Sequence, residues 1–427
     1  MAIDYLDLAA VSVLLREDWE PRLVEAINNS VPLHERLDKE IDTAKQVAGR
    51  GLIMNVAVQV TANQAFKSIP AGGTMPEAQD DGYAQLEIPM AYLYGSIALQ
   101  GQTMVATHGS NTDTVNMLNR AMKSIERTAR RRFGNMIHSD GSCALAQVNG
   151  VVAASKTVVL DNPGNIWIEP GMHLTGWDAK SGGTHVATFI NKVVGKVLND
   201  GVTIIMTTTG TLADDDWLFL VGPDDAGDDT SEQGTDPMGL LGLVDDGLGT
   251  ATIFGVDRTL DTTQWAEGNL IDAGAAALSE TLIMEGMDAG STSVYSTGNP
   301  ATVMICDFET RRFVAKLLVT KQIYQNTREG KMGFETISYA VGEKLCDLIA
   351  DQRAWPGYLY FLAEEDLKFF YAKGKEWAWR PWGTEGFVVY SDPNRTDGYL
   401  ADYTAYCNFA ALAFQTQTRL YNYGAPA

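Results

Sequence analysis

The residue types that do chemistry are all present in this sequence, but their spacing assembles no reaction centre. Five histidines, His34, His108, His138, His173 and His185, stand apart with no metal-ligand interval between them. Carboxylates come in runs, among them Asp214-Asp215-Asp216 and Glu364-Glu365-Asp366. Acid–base hydrolysis needs two carboxylates about 5 to 10 Å apart across a cleft, a geometry that adjacency in sequence does not supply. Both runs read as solvated turns. The acidic stretch with Asp224, Asp225, Asp228, Asp229 and Asp236 lacks the alternating ligands and distal glutamate of a calcium loop. There is no GxGxxG, GxxxxGK[ST], GxSxG or HExxH. Cys143, Cys306, Cys346 and Cys407 form no CxxC pair and read as isolated, reduced, buried thiols. The sequence therefore predicts no catalytic residue, no cofactor and no metal.

One cluster stands out. Arg127, Arg130, Arg131 and Arg132 crowd together in a chain with 54 acidic against 32 basic residues and a net charge of −22. Two readings stay open: a solvated helix end favoured by the helix dipole, or a surface that meets acids of a neighbouring subunit. Nucleic-acid contact would call for interleaved aromatics, which are missing. The acid excess also argues against a free nucleic-acid binder and against docking on anionic membranes.

These arginines need a helix to carry them, and residues 112–133 predict one. Thr112 or Asp113 caps it, and Val115, Leu118, Met122, Ile125 and Ala129 form one apolar stripe. Gly134 is the expected stop. The rod would be about 33 Å long. Before it, β-prone runs at residues 53–60 and 86–99 flank the turn-rich KSIPAGGTMPEAQDDGYA, which predicts a long hairpin. Such a hairpin has little core of its own and must lean on something else. Residues 1–50 read as an arm of short helices, with Trp19, Leu23 and Ile27, then Leu33, Leu37 and Ile41, at helical period.

After the long helix, residues 143–222 read as short strands of a compact barrel or sandwich, followed by an acidic loop at 223–237. Beyond it, AGAAALSETLIMEGMDA reads as helix, ATVMICD as a buried strand and FETRRFVAKLLV as a helix leaving it. MGFETISYAVGEKLCDLIADQRA reads as strand followed by loop or helix. Residues 355–427 return to aromatic, β-branched strands. The mixture is an α+β plan. Hydrophobic residues at 45% suffice for a sizeable core. The start lacks the basic region of a signal peptide, and no run reaches the roughly 18 to 20 apolar residues of a membrane helix. The expectation is a soluble chain made in a cytoplasm.

The order of elements resembles the Hong Kong 97-type fold of tailed-bacteriophage major capsid proteins. IMNVAVQVTANQAFKSIP and AQLEIPMAYLYGSIALQGQ look like that family's E-loop, and DTVNMLNRAMKSIERTARRRFGN like its spine helix. GMHLTGWDAKSGGTHVATFINKVV with DDDWLFLVG is similar to a β unit inserted in some members. GLVDDGLGTATIFGVDRTLDTTQW looks like the start of the axial domain, with Gly255 to Arg258 and Trp265. WPGYLYFLAEEDLKFFYAKGKEWAW and GYLADYTAYCNFAALAFQTQTRLYNY resemble the closing strands. The resemblance implies an N-arm (1–50), an E-loop hairpin (51–105) and a P-domain with its spine helix (106–142). It implies an inserted small β unit with an acidic loop (143–237), an A-domain (238–354), and closing strands of the A- and P-domains (355–427).

It further implies a structural, non-enzymatic head protein. Copies would gather as hexamers and pentamers into an icosahedral shell around phage double-stranded DNA, assembled in the bacterial cytoplasm and ending in the virion capsid. Partners would be other copies, a separate scaffolding protein, a portal, a decoration protein, and packaged DNA without sequence-specific contact; no membrane is involved. Subunit contacts are expected at Lys67, Pro70, Gly72 and Gly73 of the hairpin tip and at Arg127, Arg130, Arg131 and Arg132. Some members crosslink an E-loop lysine to an asparagine; Lys67 and Asn394 are the candidates, and no matching motif places an assisting acid. Two alternatives are an encapsulin-like compartment shell, whose chains are shorter and lack the insert, and a β-rich carbohydrate-binding or adhesive protein with Trp377, Trp379 and Trp382 lining a cleft.

Overall fold

The described strands form sheets of seven, six, five, three and two strands, and the long helix packs against the five-stranded one. The computed structural model describes residues 32–42, 44–47, 51–61, 65–66, 68–70, 73–75, 77, 80–100, 111–161, 163–221, 233–292, 299–320, 328–329, 335–341, 344–374, 377–379 and 398–425. The long helix spans Asn111–His138. It runs through the predicted stop at Gly134, where a Cβ would lie 2.5 Å from Cδ of Arg353. Phe133 and Ile137 in its last turns are buried in the main core, and Ile125 and Ala129 pack against that core.

The five-stranded sheet is organised by the long strand Gly398–Ala411. Leu367–Ala372 pairs antiparallel with its C-terminal half, and Ala378–Trp379 with its middle. Ala91–Gln100 pairs with its residues 398–407. Asp38–Asp42 adds a parallel edge strand beside Leu367–Ala372. Here the described part of the arm departs from expectation. Pro32–Arg36 makes one helical turn, and the chain then extends into that edge strand. Leu33 and Leu37 are buried, so core contacts and the sheet edge decide the conformation where the apolar spacing suggested continued helix. Trp19, Leu23 and Ile27 lie outside the described residues.

The hairpin strands are Gly51–Thr61 and Gly82–Pro89, with Lys45–Val47 on the other side of the first. The expected second strand is therefore split. Proline offers no N–H to a ladder, and the hairpin pairing ends at Pro89. Met90 N–H donates to the Leu52 carbonyl (2.9 Å), and from Ala91 the chain joins the five-stranded sheet.

The insert holds six strands in the order Ala144–Gln147, Trp217–Leu220, His173–Trp177, Lys192–Val197, Thr203–Leu212, Val152–Val159. A bridge between Val148 and Leu160 joins its two ends and closes it into a small barrel. Asn149 N–H donates to Val159 O and Asp161 N–H to Gln147 O across this seam, each 2.9 Å. Phe189 fills the interior beside two glycines; a Cβ on Gly210 would lie 2.4 Å from its ring.

The seven-stranded sheet runs Asn269–Asp272, Thr418–Tyr421, Tyr358–Leu362, Val303–Cys306, Lys344–Ala350, Glu335–Val341, Arg328–Glu329. Glu280–Thr292 and Phe308–Thr320 are its helices. Two expectations fail here. Residues 273–279 are not helical: Gly274 and Ala275 take φ of +57° and +63°, and Asp272 accepts the Gly274 N–H. Ser279 then accepts the Leu282 N–H as a cap. Lys344–Ala350 is strand, with Cys346 and Leu348 buried at period two.

Two connections join the large sheets. Residues 363–366 lead from Tyr358–Leu362 to Leu367–Ala372, and residues 412–417 lead from Gly398–Ala411 to Thr418–Tyr421. They bond each other: Gln417 accepts the Ala363 N–H (3.1 Å), its Nε2 donates to Ala363 O (3.3 Å), and Leu412 N–H donates to Asp366 O (2.7 Å).

Candidate assembly surfaces

The hairpin is buried at its root and bare at its tip. Met54, Leu86, Ile88 and Met90 lie in the main core, Ile53 is buried, and Glu87 N–H donates to the Phe254 carbonyl (3.0 Å). Further out, Val56, Val58, Val60 and Ala84 are only partly covered. At the far end Phe66 is 99% exposed, Met75 78% and Tyr83 66%. Pro70 and Gly73 shape the tip, with the Gly73 N–H bonded to the Pro70 carbonyl (2.9 Å). Lys67 and Gly72 lie outside the described residues, as does Asn394. Sequence reasoning chose the tip for its turn residues and missed Phe66 and Met75, although an aromatic and a methionine inside a polar turn are a readable signal.

The arginines divide in the folded subunit. Arg130 pairs with Glu126 one turn earlier, and Arg131 pairs with Glu169 of the barrel. Burial raises the pKa of Asp236, and the charge of Arg132 opposes that shift. Arg127 faces outward and is exposed. Three of the four thus act within the chain, two of them toward the insert and its return segment.

The titratable groups are spread through the structure as packing and hydrogen-bonding devices. His34 is buried, 3.0 Å from the Tyr371 hydroxyl and edge-on to Phe133 and Phe369. His138 meets Asp351 at 3.2 Å. Burial alone would raise Asp351, but the His138 hydrogen bond and charge, with the Arg353 N–H, hold it below the usual carboxylate range. His173 meets Asn191, and His185 lies edge-on to Trp177. His108 is outside the described residues. Among the described residues no three His, Cys, Asp or Glu side chains are grouped to hold a metal. Cys306, Cys346 and Cys407 are buried and Cys143 half-buried. Burial pushes the Cys143 and Cys407 thiols up to about 12, which suits inert thiols.

Glu364-Glu365-Asp366 corrects the solvated-turn reading. Arg36 reaches the Glu364 carboxylate through Nε (2.5 Å) and Nη2 (3.0 Å), and the buried Asp366 accepts from Asn299 Nδ2 (3.0 Å). Arg258 is buried too, donating to the carbonyls of Gly242 (2.7 Å) and Leu243 (2.9 Å) at the end of a short helical turn. Burial lowers its pKa to about 10 despite the nearby Asp245.

A cleft of about 560 Å³ lies between the barrel and the seven-stranded sheet, lined by Trp217, Trp355, Tyr358, Asp245 and Arg419 among others. Most of its charged groups are engaged within the chain: Lys180 pairs with Asp140, Arg419 donates to Leu241 O and faces Asp245, and Asp161 accepts from Asn149 Nδ2 (2.7 Å). Trp377 is elsewhere, stacked on Tyr403 at 5.5 Å in the core; Trp382 is outside the described residues. No helix among the described residues is long and apolar enough to cross a membrane.

No protein-family model and no curated protein matches the sequence. Solved structures are. The cyanophage A-1(L) capsid asymmetric unit shares 11% identity at a TM-score of 0.51, over 92% of this chain and 93% of that one. The capsid of a native GTA particle shares 8% identity at a TM-score of 0.44, over 93% and 91%. The SrpI encapsulin of Synechococcus elongatus shares 8% identity at a TM-score of 0.41, over 93% and 90%. The cyanophage match is nearly end to end, and the fold of this chain is the mixed α+β, Hong Kong 97-type capsid fold.

Proposed function

We propose that this chain is a capsid shell subunit, the major head protein of a tailed bacteriophage, and that its work is self-assembly. The observation that carries the reading is the hairpin: its root is bonded into the core, while its tip holds Phe66, Met75 and Tyr83 in solvent. Exposed apolar groups on a projecting element mark a contact surface, and on this fold the occupant that satisfies it is a second copy of the chain.

Copies would gather as hexamers and pentamers into an icosahedral shell around double-stranded DNA, with a scaffolding protein, a portal and a decoration protein as partners. The net charge of −22 suits such a container, because an acidic lining does not clamp phosphates and leaves packaged DNA free to move. Stability of the shell would come from summed contact area. The subunit itself performs no catalysis in this reading.

The test is electron microscopy of the expressed full chain, alone and with its scaffolding protein. Closed shells or capsomers are expected, and a stable monomer under every condition would overturn the proposal. Shells that carry a cargo enzyme and no DNA would assign the chain to a compartment instead.

A further inference from the structure

Residues 32–42 touch three bodies at once. His34 wedges between Phe133 of the long helix (5.0 Å) and Phe369 of the five-stranded sheet (4.6 Å). Asp38–Asp42 is the parallel edge strand of that same sheet, fixed by Lys368 Nζ to Glu40 (2.9 Å) and by Lys373 N–H to the Asp42 carbonyl (2.9 Å). Arg36, the last residue of the helical turn, points the other way. Its Nε and Nη2 fork onto Glu364 in the connection between the sheets, and its Nη1 bonds Asp347 (3.0 Å) in strand Lys344–Ala350 of the seven-stranded sheet. Glu364 also accepts from Thr302 Oγ1 (2.8 Å), beside strand Val303–Cys306. A segment seated on one sheet thus reaches the other through one planar, two-pronged cation.

The partners are 311 and 328 positions away in sequence, so the contact is no local turn. They are also well chosen for a joint. Residues 363–366 and 412–417 are the places where the backbone crosses between the sheets, and a change of angle must be absorbed there. A bidentate guanidinium–carboxylate pair fixes direction as well as distance, and a lysine would not reproduce it.

We propose that residues 32–42 form a latch: Arg36 holds the two sheets at one angle while the arm strand is seated, and unseating the strand frees the joint. The use of such a latch rests on the shell reading, since copies of one chain in unlike shell positions need unlike angles. The latch itself is a property of the subunit.

Hydrogen exchange on the full chain, compared for wild type, Arg36→Ala, Arg36→Lys and Glu364→Gln, tests it. In Arg36→Ala, amides of residues 363–366 and 412–417 should exchange faster by about tenfold or more, as expected for loss of charge-assisted bonds at a joint. Barrel amides of residues 144–220 should keep their wild-type rates. Arg36→Lys should fall between, and Glu364→Gln, which keeps the shape, should repeat the effect if Arg36→Ala does not fold. Wild-type rates at the joint in the variants, or equal acceleration in joint and barrel, would overturn the latch. Shells of Arg36→Ala should also vary more in size than wild-type shells. If the wild type forms no shells the shell reading fails, while the exchange result still decides the latch.

Discussion

Replacing Phe66 by Ser separates assembly from folding, because the ring is 99% exposed and the isolated subunit gains almost nothing from it. A surface change of this kind alters stability by about 0.5 kcal/mol or less, so the unfolding midpoint of the unassembled chain should stay put. In a shell the ring would be covered by the neighbour. Burying a phenylalanine side chain stabilises by about 2 to 3 kcal/mol. With one such contact per subunit, that loss raises the concentration at which shells first form by about 30- to 150-fold. Sedimentation of the chain across a concentration series measures that onset. Val151→Ser is the control, an equally simple loss of an exposed apolar group (73%) on the barrel, away from the hairpin. Onset at the wild-type concentration for Phe66→Ser, or an equal shift for Val151→Ser, would refute the assignment of the tip as the contact.

Other outcomes follow from the same geometry. Arg127→Glu should weaken assembly and leave subunit unfolding unchanged; Arg130→Glu is the poorer probe, since it sets a like charge one turn from Glu126 and costs the helix about 0.5 kcal/mol. Light scattering beside circular dichroism separates the two effects, and shells at normal yield from Arg127→Glu would remove that residue from the interface. A Cβ on Gly286 would lie 2.2 Å from the Phe361 ring; overpacking of about 1 to 3 kcal/mol outweighs a helix-propensity gain of up to about 1. Gly286→Ala should therefore lower the denaturation midpoint, and Phe361→Leu in the same chain should recover part of it; a midpoint at or above wild type for the single change would show that the ring yields freely. Asp351, depressed in the folded state, contributes stability above the unfolded carboxylate pKa near 4, and this is lost as pH falls through its lower folded value. Denaturation midpoints between about pH 5 and pH 2 should fall less steeply for Asp351→Asn than for wild type; parallel slopes would show that the His138 contact does not depress it.

The parts legible in the sequence are those whose signal is local. The apolar stripe placed the long helix, although its start at Asn111 puts the expected caps Thr112 and Asp113 inside it, and alternation with turn residues placed the hairpin's first strand and the small β unit. What stayed hidden depends on distant partners. Asp38–Asp42 extends because residues 368–372 offer it an edge. Glu364 reads as solvated because Arg36 lies 328 positions earlier. Gly134 does not stop its helix because Phe133 and Ile137 on either side of it are held in the main core. The split at Pro89 was readable in principle, since proline cannot continue a ladder, but the new partner strand begins only at Gly398.

The same division bears on how copies of so acidic a subunit would associate under the proposed function. Copies with a net charge of −22 repel each other. Their best cations do not offset this, because Arg36, Arg131, Arg258 and Arg419 are engaged inside the fold with Glu364, Glu169, backbone carbonyls and Asp245. Attraction between copies then has to come from groups that the fold leaves unsatisfied. Among the described residues those with the largest apolar exposure on a projecting element are Phe66 and Met75. Long-range repulsion is screened within about 10 Å at ordinary salt, whereas apolar contact acts only once surfaces meet. Under the proposed function, a subunit built this way would stay dispersed while dilute and close into a shell when copies are held together.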